Sequence, residues 1–155
     1  MEGMAIERIL LAVSSEEDER IEKIGGFTAD IAGPTGAAVT LAHVFDSEGY
    51  REVREQLEFD RFDEVSPDVV AERSVAVRDL TALFDEADVA YDIRGRTTDS
   101  GAVGEEIVGL AAETDADLVV VGGRKRSPAG KAVFGSTAQE VMLESPCPVT
   151  FVRNE

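Results

Sequence analysis

The residue types that could do chemistry are concentrated in one stretch, between Gly122 and Thr137. This stretch reads GGRKRSPAGKAVFGST and combines glycines, hydroxyl groups and basic side chains. Four of the 15 basic residues of the chain fall within positions 124–131. Glycines let backbone N–H groups approach an anion, hydroxyl groups can donate hydrogen bonds to it, and a helix amino terminus adds positive potential. The stretch therefore indicates a phosphate or other anion site.

Two interpretations of this stretch stay open. In the first, it binds phosphate through Gly122, Gly123, Arg124, Lys125, Lys131, Gly135, Ser136 and Thr137. In the second, it is a strand–loop–helix turn whose glycines serve geometry and whose basic side chains lie in solvent. A Walker loop does not fit, because position 125 is lysine where glycine is required and Ala132 lacks the hydroxyl that binds magnesium.

No catalytic or metal-binding constellation is visible elsewhere. The chain has one histidine, His43, and one cysteine, Cys147, so the sequence offers no Cys/His cluster with metal-ligand spacing. We interpret His43 as a packed or hydrogen-bonded group and Cys147 as a small buried residue. No enzyme signature is present, and no residue is assigned a catalytic role.

The charge balance narrows the possible partners and the cellular environment. There are 32 acidic and 15 basic residues, a net charge of −17, which repels nucleic-acid backbones and argues against a DNA or RNA binder. Three of the basic residues are lysines, which leaves twelve arginines. This surface is typical of a high-salt cytoplasm, such as that of a halophilic archaeon, where screening weakens self-repulsion. The alternative is an ordinary acidic protein.

The length and hydropathy pattern predict one domain, residues 1–155, in the cytoplasm. With 155 residues and 43% hydrophobic composition, the chain can form one core but not two ordinary domains. No run approaches the roughly 20 apolar residues of a membrane helix. The amino-terminal segment turns acidic where a signal peptide would have its cleavage site. We therefore expect neither a membrane partner nor secretion.

The elements that must position the glycine-bearing stretch alternate between strands and helices. A short continuous apolar run predicts a buried parallel strand at Ile9–Val13. Further strands are predicted at Val39–Val44, Val89–Arg94, Leu118–Val121 and Val149–Val152. Helices are expected from the cap Ser14–Ser15 to Gly33–Pro34, as one long helix over Ser66–Ala87, after the caps Thr98–Ser100, and over Ser136–Leu143. Residues 46–65 receive no element. This order predicts a doubly wound α/β sheet, with sites after strands one and four.

Several motifs together resemble the universal stress protein family over about residues 6–153. Nucleotide-binding members carry glycine, two residues, glycine, nine residues, then glycine and serine or threonine. The corresponding residues here are Gly122, Lys125, Gly135 and Ser136. Further similarity lies in ADLVVVG at 116–122, SPCPV at 145–149 and His43–Val44 at the end of the second strand.

The resemblance implies a Rossmann-like five-stranded parallel sheet in the order 3-2-1-4-5, flanked by four helices, and a homodimer formed through the last strand. It also implies that ATP with Mg²⁺ binds the loop and that Ala12, Val13, Ser14 and Val44 complete the site. Two positions depart from the ATP-binding pattern. Lys125 replaces a loop glycine and either fills the phosphate space or binds the phosphate itself. Ser14 replaces an aspartate that contacts the nucleoside, and it can also serve as a helix cap.

Three functions follow as hypotheses. The first is a stress-linked regulatory or signalling module whose bound nucleotide alters affinity for a protein partner that the sequence does not identify. The second is a dimeric interaction module that does not bind nucleotide. The third is slow phosphoanhydride hydrolysis, for which the sequence shows no evident base, metal ligand or attacking group.

The charge analysis predicts that stability depends on salt. At a net charge of −17 the folded chain repels itself. The screening length grows from about 3 Å at 1 M to about 10 Å at 0.1 M ionic strength. We expect the melting temperature to fall when potassium chloride is diluted from molar to tenth-molar, as followed by circular dichroism. An unchanged or rising melting temperature would contradict the high-salt interpretation.

Overall fold

A computed structural model of the chain contains five strands and six helices among the residues that it describes. It describes residues 5–13, 18–59, 65–99, 101–123 and 136–153. In chain order the elements are β1 (Arg8–Val13), α1 (Asp18–Thr35), β2 (Ala38–Asp46), α2 (Ser47–Gln56), α3 (Pro67–Arg73), α4 (Val75–Glu86), β3 (Tyr91–Thr98), α5 (Val103–Glu113), β4 (Leu118–Gly123), α6 (Ser136–Glu144) and β5 (Val149–Arg153).

The strands form one parallel sheet in the order β3-β2-β1-β4-β5, which confirms the predicted topology. Chain winding reverses between β1 and β4. Strands β2 and β3 lie on one side of β1, whereas β4 and β5 lie on the other side. In parallel α/β sheets, ligands bind beyond the carboxyl ends of the strands at such a reversal. The fold therefore places its candidate site beyond Val13 and Gly123, where β1 and β4 end.

Two helical layers bury the two faces of the sheet. Alternate residues of each strand point to opposite faces, so strands covered on both sides need continuous apolar runs. On one face α1 and α4 cover Ile9, Leu11, Val39, Leu41 and Val120. On the other face α5 and α6 cover Leu10, Ala42, Val44, Val119 and Val121.

The long helix predicted over 66–87 is wrong in one respect, because it is broken at Ser74. The Ser74 hydroxyl donates to the Ala71 carbonyl at 2.9 Å and accepts from the Val77 N–H at 3.4 Å. Ser74 thus ends α3 and caps α4 with its backbone extended. The apolar spacing of three and four continues through the break, which is why periodicity alone did not reveal it.

The stretch 46–65, to which no element was assigned, contains α2. Together with the break at Ser74, this gives six helices among the described residues instead of the four that the family resemblance implied. Asp46 caps this helix by accepting a hydrogen bond from the Gly49 N–H at 2.6 Å. Beneath it, Phe45 and Val53 join Val70 in a small third core. Amphipathic packing thus stabilises a segment that is rich in charge.

Other boundaries also differ from the predictions. Helix α1 continues past Gly33–Pro34 to Thr35, and its last turn is closed by a hydrogen bond from the Gly36 N–H to the Ala32 carbonyl. Strand β3 begins at Tyr91 and runs on to Thr98. The predicted caps at Thr98–Ser100 are wrong, since Ala102 precedes α5 without a side-chain cap.

His43 lies inside the fold, on β2. Its ring stacks on Phe45 with centroids 4.0 Å apart, and its Nδ1 lies 3.4 Å from the Ser74 hydroxyl oxygen. Burial lowers the pKa of His43 from 6.5 to about 4. The side chain is therefore neutral at pH 7 and links β2 to the break between α3 and α4.

Within the described ranges, no helix combines the length and the apolar character needed to cross a membrane.

Burial of neutral His43 predicts a pH-dependent loss of stability. Because the folded pKa is depressed to about 4, the unfolded chain binds the proton more readily, and stability is lost as pH falls below 6.5. Between pH 7 and pH 5 the loss from this group is about 2 kcal/mol. Urea unfolding at several pH values should show that the free energy of unfolding falls more steeply with decreasing pH in the parent than in the His43→Asn protein. If the free energies of unfolding of the two proteins fell in parallel, the prediction would be contradicted, since carboxylate titration is common to both.

Candidate functional site

The site lies at the carboxyl ends of β1 and β4, the two central strands. Their register pairs Leu11 with Val120, and extending it by two residues brings Val13 beside Gly122. On the other side of β1, Val13 is in register with His43, so Val44 lies one position beyond the end of β1. The structure therefore brings Val13, Val44 and Gly122 to one edge of the sheet.

The predicted residues on β1 and β2 provide an apolar floor. Val13 and Val44 are each 8% exposed, and Ala12 is half-buried. Ala12 and Val44 face the α5 and α6 layer, whereas Val13 faces α1. These side chains cannot donate or accept protons, so they can contribute shape and apolar contact but no acid–base chemistry.

Gly122, the last residue but one of β4, is exposed to solvent and has a closely packed neighbour. A Cβ atom at this position would lie 3.2 Å from Cδ1 of Ile24, on α1. The glycine thus has a packing role, because α1 approaches the strand at the place where a side chain would otherwise project. Ile24 was not a predicted site residue, and its signal in the sequence was the helical apolar spacing that also marks ordinary core positions.

Helix α6 begins at the same edge with two other predicted residues, Ser136 and Thr137. Thr137 is half-buried in the first turn, and the next residue, Ala138, is buried against the core that contains Val44 and Val121. The helix start is therefore fixed by packing beside the ends of β2 and β4. The first N–H groups of a helix have no partner within the helix, and together with the helix dipole they favour an anion there.

Five predicted site residues lie outside the described residues. They are Ser14, Arg124, Lys125, Lys131 and Gly135. Gly123, by contrast, is the last residue of β4, where it is in register with Arg153 of β5. The assignment of the five undescribed residues to the site stays a prediction from the sequence.

The structure adds polar residues at this edge that sequence reasoning missed. Arg153, beside Gly123, brings a positive charge to the end of β5. At the β2 and β3 end of the edge, Ser47 donates a hydrogen bond to Asp99 at 2.9 Å, close to the cap residue Asp46. Their sequence signal was only their place directly after apolar runs. Both carboxylates already accept structural hydrogen bonds.

Cys147 lies away from this site, before the amino end of β5. The thiol is half-buried, not fully buried as predicted, and Ser145 donates a hydrogen bond to the Cys147 carbonyl at 2.8 Å. Burial raises the pKa of the Cys147 thiol, and the nearby charge of Asp117 acts in the same direction. These effects disfavour the thiolate, which is the reactive form.

Sequence comparison finds relatives that share part of this chain. A universal stress protein of Mycolicibacterium smegmatis is 37% identical over 81 residues, which are 52% of this chain and 61% of that protein. The aligned stretch thus spans less than two thirds of that relative's length.

Structural comparison extends the similarity to the whole fold. A universal stress protein from Archaeoglobus fulgidus superposes with a TM-score of 0.70 at 27% identity, covering 94% of this chain and 98% of the other. Another from the same organism, in complex with dAMP, has a TM-score of 0.64 at 19% identity and covers 96% and 98% of the two chains. At 19% identity the second comparison speaks for the fold alone.

The family model described as the universal stress protein family matches residues 5–153, which include all five strands and the edge where β1 and β4 end. Together with the sheet order, this match shows that the chain belongs to the universal stress protein family.

Proposed function

We propose that this chain is a cytoplasmic regulatory module that binds the phosphate group of a nucleotide, of ATP type, at the loop 122–136. The observation that carries the proposal is the convergence of Gly122, Gly123 and the start of α6 at the reversal of chain winding. There, backbone N–H groups and a helix dipole can stabilise an anion without a catalytic group. Bound nucleotide would change affinity for a protein partner.

Three further features support this proposal. The ends of β1 and β2 at Ala12, Val13 and Val44 are apolar and uncharged, which suits a nucleoside next to the phosphate position. Arg153 adds positive charge beside Gly123, and the loop sequence adds four basic residues at 124–131. The structure of a family member of the same fold has been solved in complex with dAMP. The net charge of −17 further suggests a halophilic host.

A second candidate function is a dimeric interaction module that binds no nucleotide. It is favoured by the position of Ile24, which occupies the space that a side chain at residue 122 would need, because helix packing alone then accounts for glycine at that position. Lys125 in the glycine frame is compatible with the same view. Denaturing protein purified in molar salt and identifying the released small molecules by mass spectrometry separates the two functions.

The dimer that we propose uses β5, at one end of the sheet. At the opposite end, α3 covers the edge of β3: the Asp68 carboxylate accepts from the Gly95 N–H at 2.6 Å and lies 3.8 Å from Arg96. Strand β5 has β4 on one side and is terminal in the sheet. Its residues, Val149–Arg153, are all half-buried, as suits a strand that pairs with a second copy.

We predict that calorimetric titration with ATP and Mg²⁺ in molar potassium chloride detects binding to the parent. Gly135→Val should abolish binding, because it puts a branched side chain where the backbone must approach the phosphate. Lys131→Ala should only weaken it. Lys125→Gly should strengthen binding if the lysine fills the phosphate space and weaken it if the lysine contacts the phosphate.

A threonine pair provides the control for this titration. Thr137→Val removes a hydroxyl at the start of α6 and should lower affinity at least about tenfold, since a hydrogen bond to a charged group contributes about 1.5–3 kcal/mol. Thr81→Val makes the same change at a half-buried position on α4, where the hydroxyl donates to the Arg78 carbonyl, and should leave affinity unchanged. No heat from any folded variant or from the parent would favour the second function.

We predict a dimer at micromolar concentration in molar salt, measured by light scattering. The Val119 N–H donates to the Pro148 carbonyl, so by the alternation of a parallel ladder the Val149 N–H points away from β4. Val149→Pro removes this donor and should shift the protein towards monomer. Val149→Thr keeps the N–H and a similar shape and should remain dimeric. A parent monomer, or a dimer unaffected by Val149→Pro, would place the interface elsewhere.

A further inference from the structure

Gly122 contributes backbone but no side chain to the proposed nucleotide site. Ile24 occupies the space where a side chain at residue 122 would lie. The distance from Ile24 Cδ1 to an ideal Cβ at residue 122 is 3.2 Å, which is tighter than ordinary van der Waals contact. A side chain at residue 122 would therefore push against α1 before it met any ligand. Gly122 can be substituted only if Ile24 or the peptide moves.

Ile24 is buried, and the turn of α1 that carries it is closely packed. It is buried in the core beneath α1, and its carbonyl accepts a hydrogen bond from the buried Thr28 hydroxyl at 2.8 Å. The next residue, Gly25, lies against α4, where a Cβ would come within 2.7 Å of Leu80 Cδ2. A tightly packed core resists extra volume, so a side chain added between α1 and β4 should lower stability.

The exposed partner in this contact is the end of β4. Gly122 is solvent-accessible and is followed by Gly123, the last residue of the strand. When a buried isoleucine is pressed against an exposed glycine, the strain of added volume is relieved by displacement of the exposed peptide. The peptide that moves is the one from which the proposed phosphate loop departs.

We propose that Ile24 is a positioning residue for the nucleotide site: its Cδ1 methyl supports the Gly122 peptide and sets where the phosphate-binding loop leaves β4. This inference rests on the proposed nucleotide function. It assigns a ligand-related role to a core residue that need not touch the ligand, and the ligand class is a nucleotide phosphate.

A double-mutant cycle tests the inference with ATP and Mg²⁺ in molar potassium chloride. Gly122→Ala should lower the melting temperature by about 3 °C and raise the Kd about tenfold, as expected for mild overpacking at this contact. Ile24→Val removes the Cδ1 methyl, so the Ile24→Val/Gly122→Ala protein should return to within about twofold of the parent Kd.

Ile21 provides the matched control on the same helix. It is buried in the same core as Ile24, yet it does not come within 4 Å of the Cβ position at residue 122. Ile21→Val should cost about as much stability as Ile24→Val, about 1 kcal/mol or 3 °C, without affecting the Kd. Ile21→Val/Gly122→Ala should keep the tenfold loss. Ile24→Val alone should raise the Kd about threefold, because the peptide loses its support.

The outcomes separate this inference from the proposed function. If the parent does not bind ATP, the proposed function fails and the positioning role fails with it. If the parent binds ATP and the fold-changes in Kd caused by Ile24→Val and Gly122→Ala simply multiply in the double mutant, the two residues act independently and the inference alone is overturned. The same holds if Gly122→Ala lowers the melting temperature but leaves the Kd unchanged. Rescue by Ile24→Val and not by Ile21→Val supports the inference.

Discussion

The parallel pairing of β1 with β4 is the constraint on which the rest of the molecule depends. Asp117 fixes it at the amino end, where its carboxylate accepts from the N–H groups of Glu7 and Arg8 at 2.9 and 3.0 Å, and its own N–H donates to the Arg8 carbonyl. A slip of one residue in this register would turn every side chain of a strand to the opposite face. With the register fixed, its extension by two residues places Val13 next to Gly122, so that the apolar strand ends and the glycine occur together at the candidate site.

Much of the fold follows from the sequence because the three central strands, β1, β2 and β4, are buried on both faces. A run such as Leu118–Val121 has few other stable environments in a chain of this polarity, so its place in a parallel sheet was predictable. Breaks and caps were less predictable. Ser74 interrupts a helix through two hydrogen bonds of one hydroxyl, and Asp46 starts another through a single short bond. Serine and aspartate occur at many positions where they make no such bond, so their roles depend on tertiary packing.

The site was predictable only in part, because a glycine can be required for two different physical reasons. Gly122 was singled out as a place where backbone approaches an anion, and the structure shows that it is also where α1 approaches the sheet through Ile24. A glycine pattern in a sequence does not separate these demands. Arg153 was missed for a related reason: its relevance comes from its register with Gly123, which depends on how two strands thirty residues apart are paired.

The edge of the sheet also divides its polar groups by charge, and this limits how a nucleotide could lie across it. At the β2 and β3 end, Asp46 and Asp99 are engaged in hydrogen bonds with a backbone N–H and with Ser47. At the β4 and β5 end, Arg153 lies beside Gly123, where the basic loop sequence begins. In a chain of net charge −17, an anion is attracted only where positive groups are gathered. In the nucleotide-binding function that we propose, the phosphate is therefore favoured at the β4 end, and the uncharged part of the ligand would lie over the apolar ends of β1 and β2.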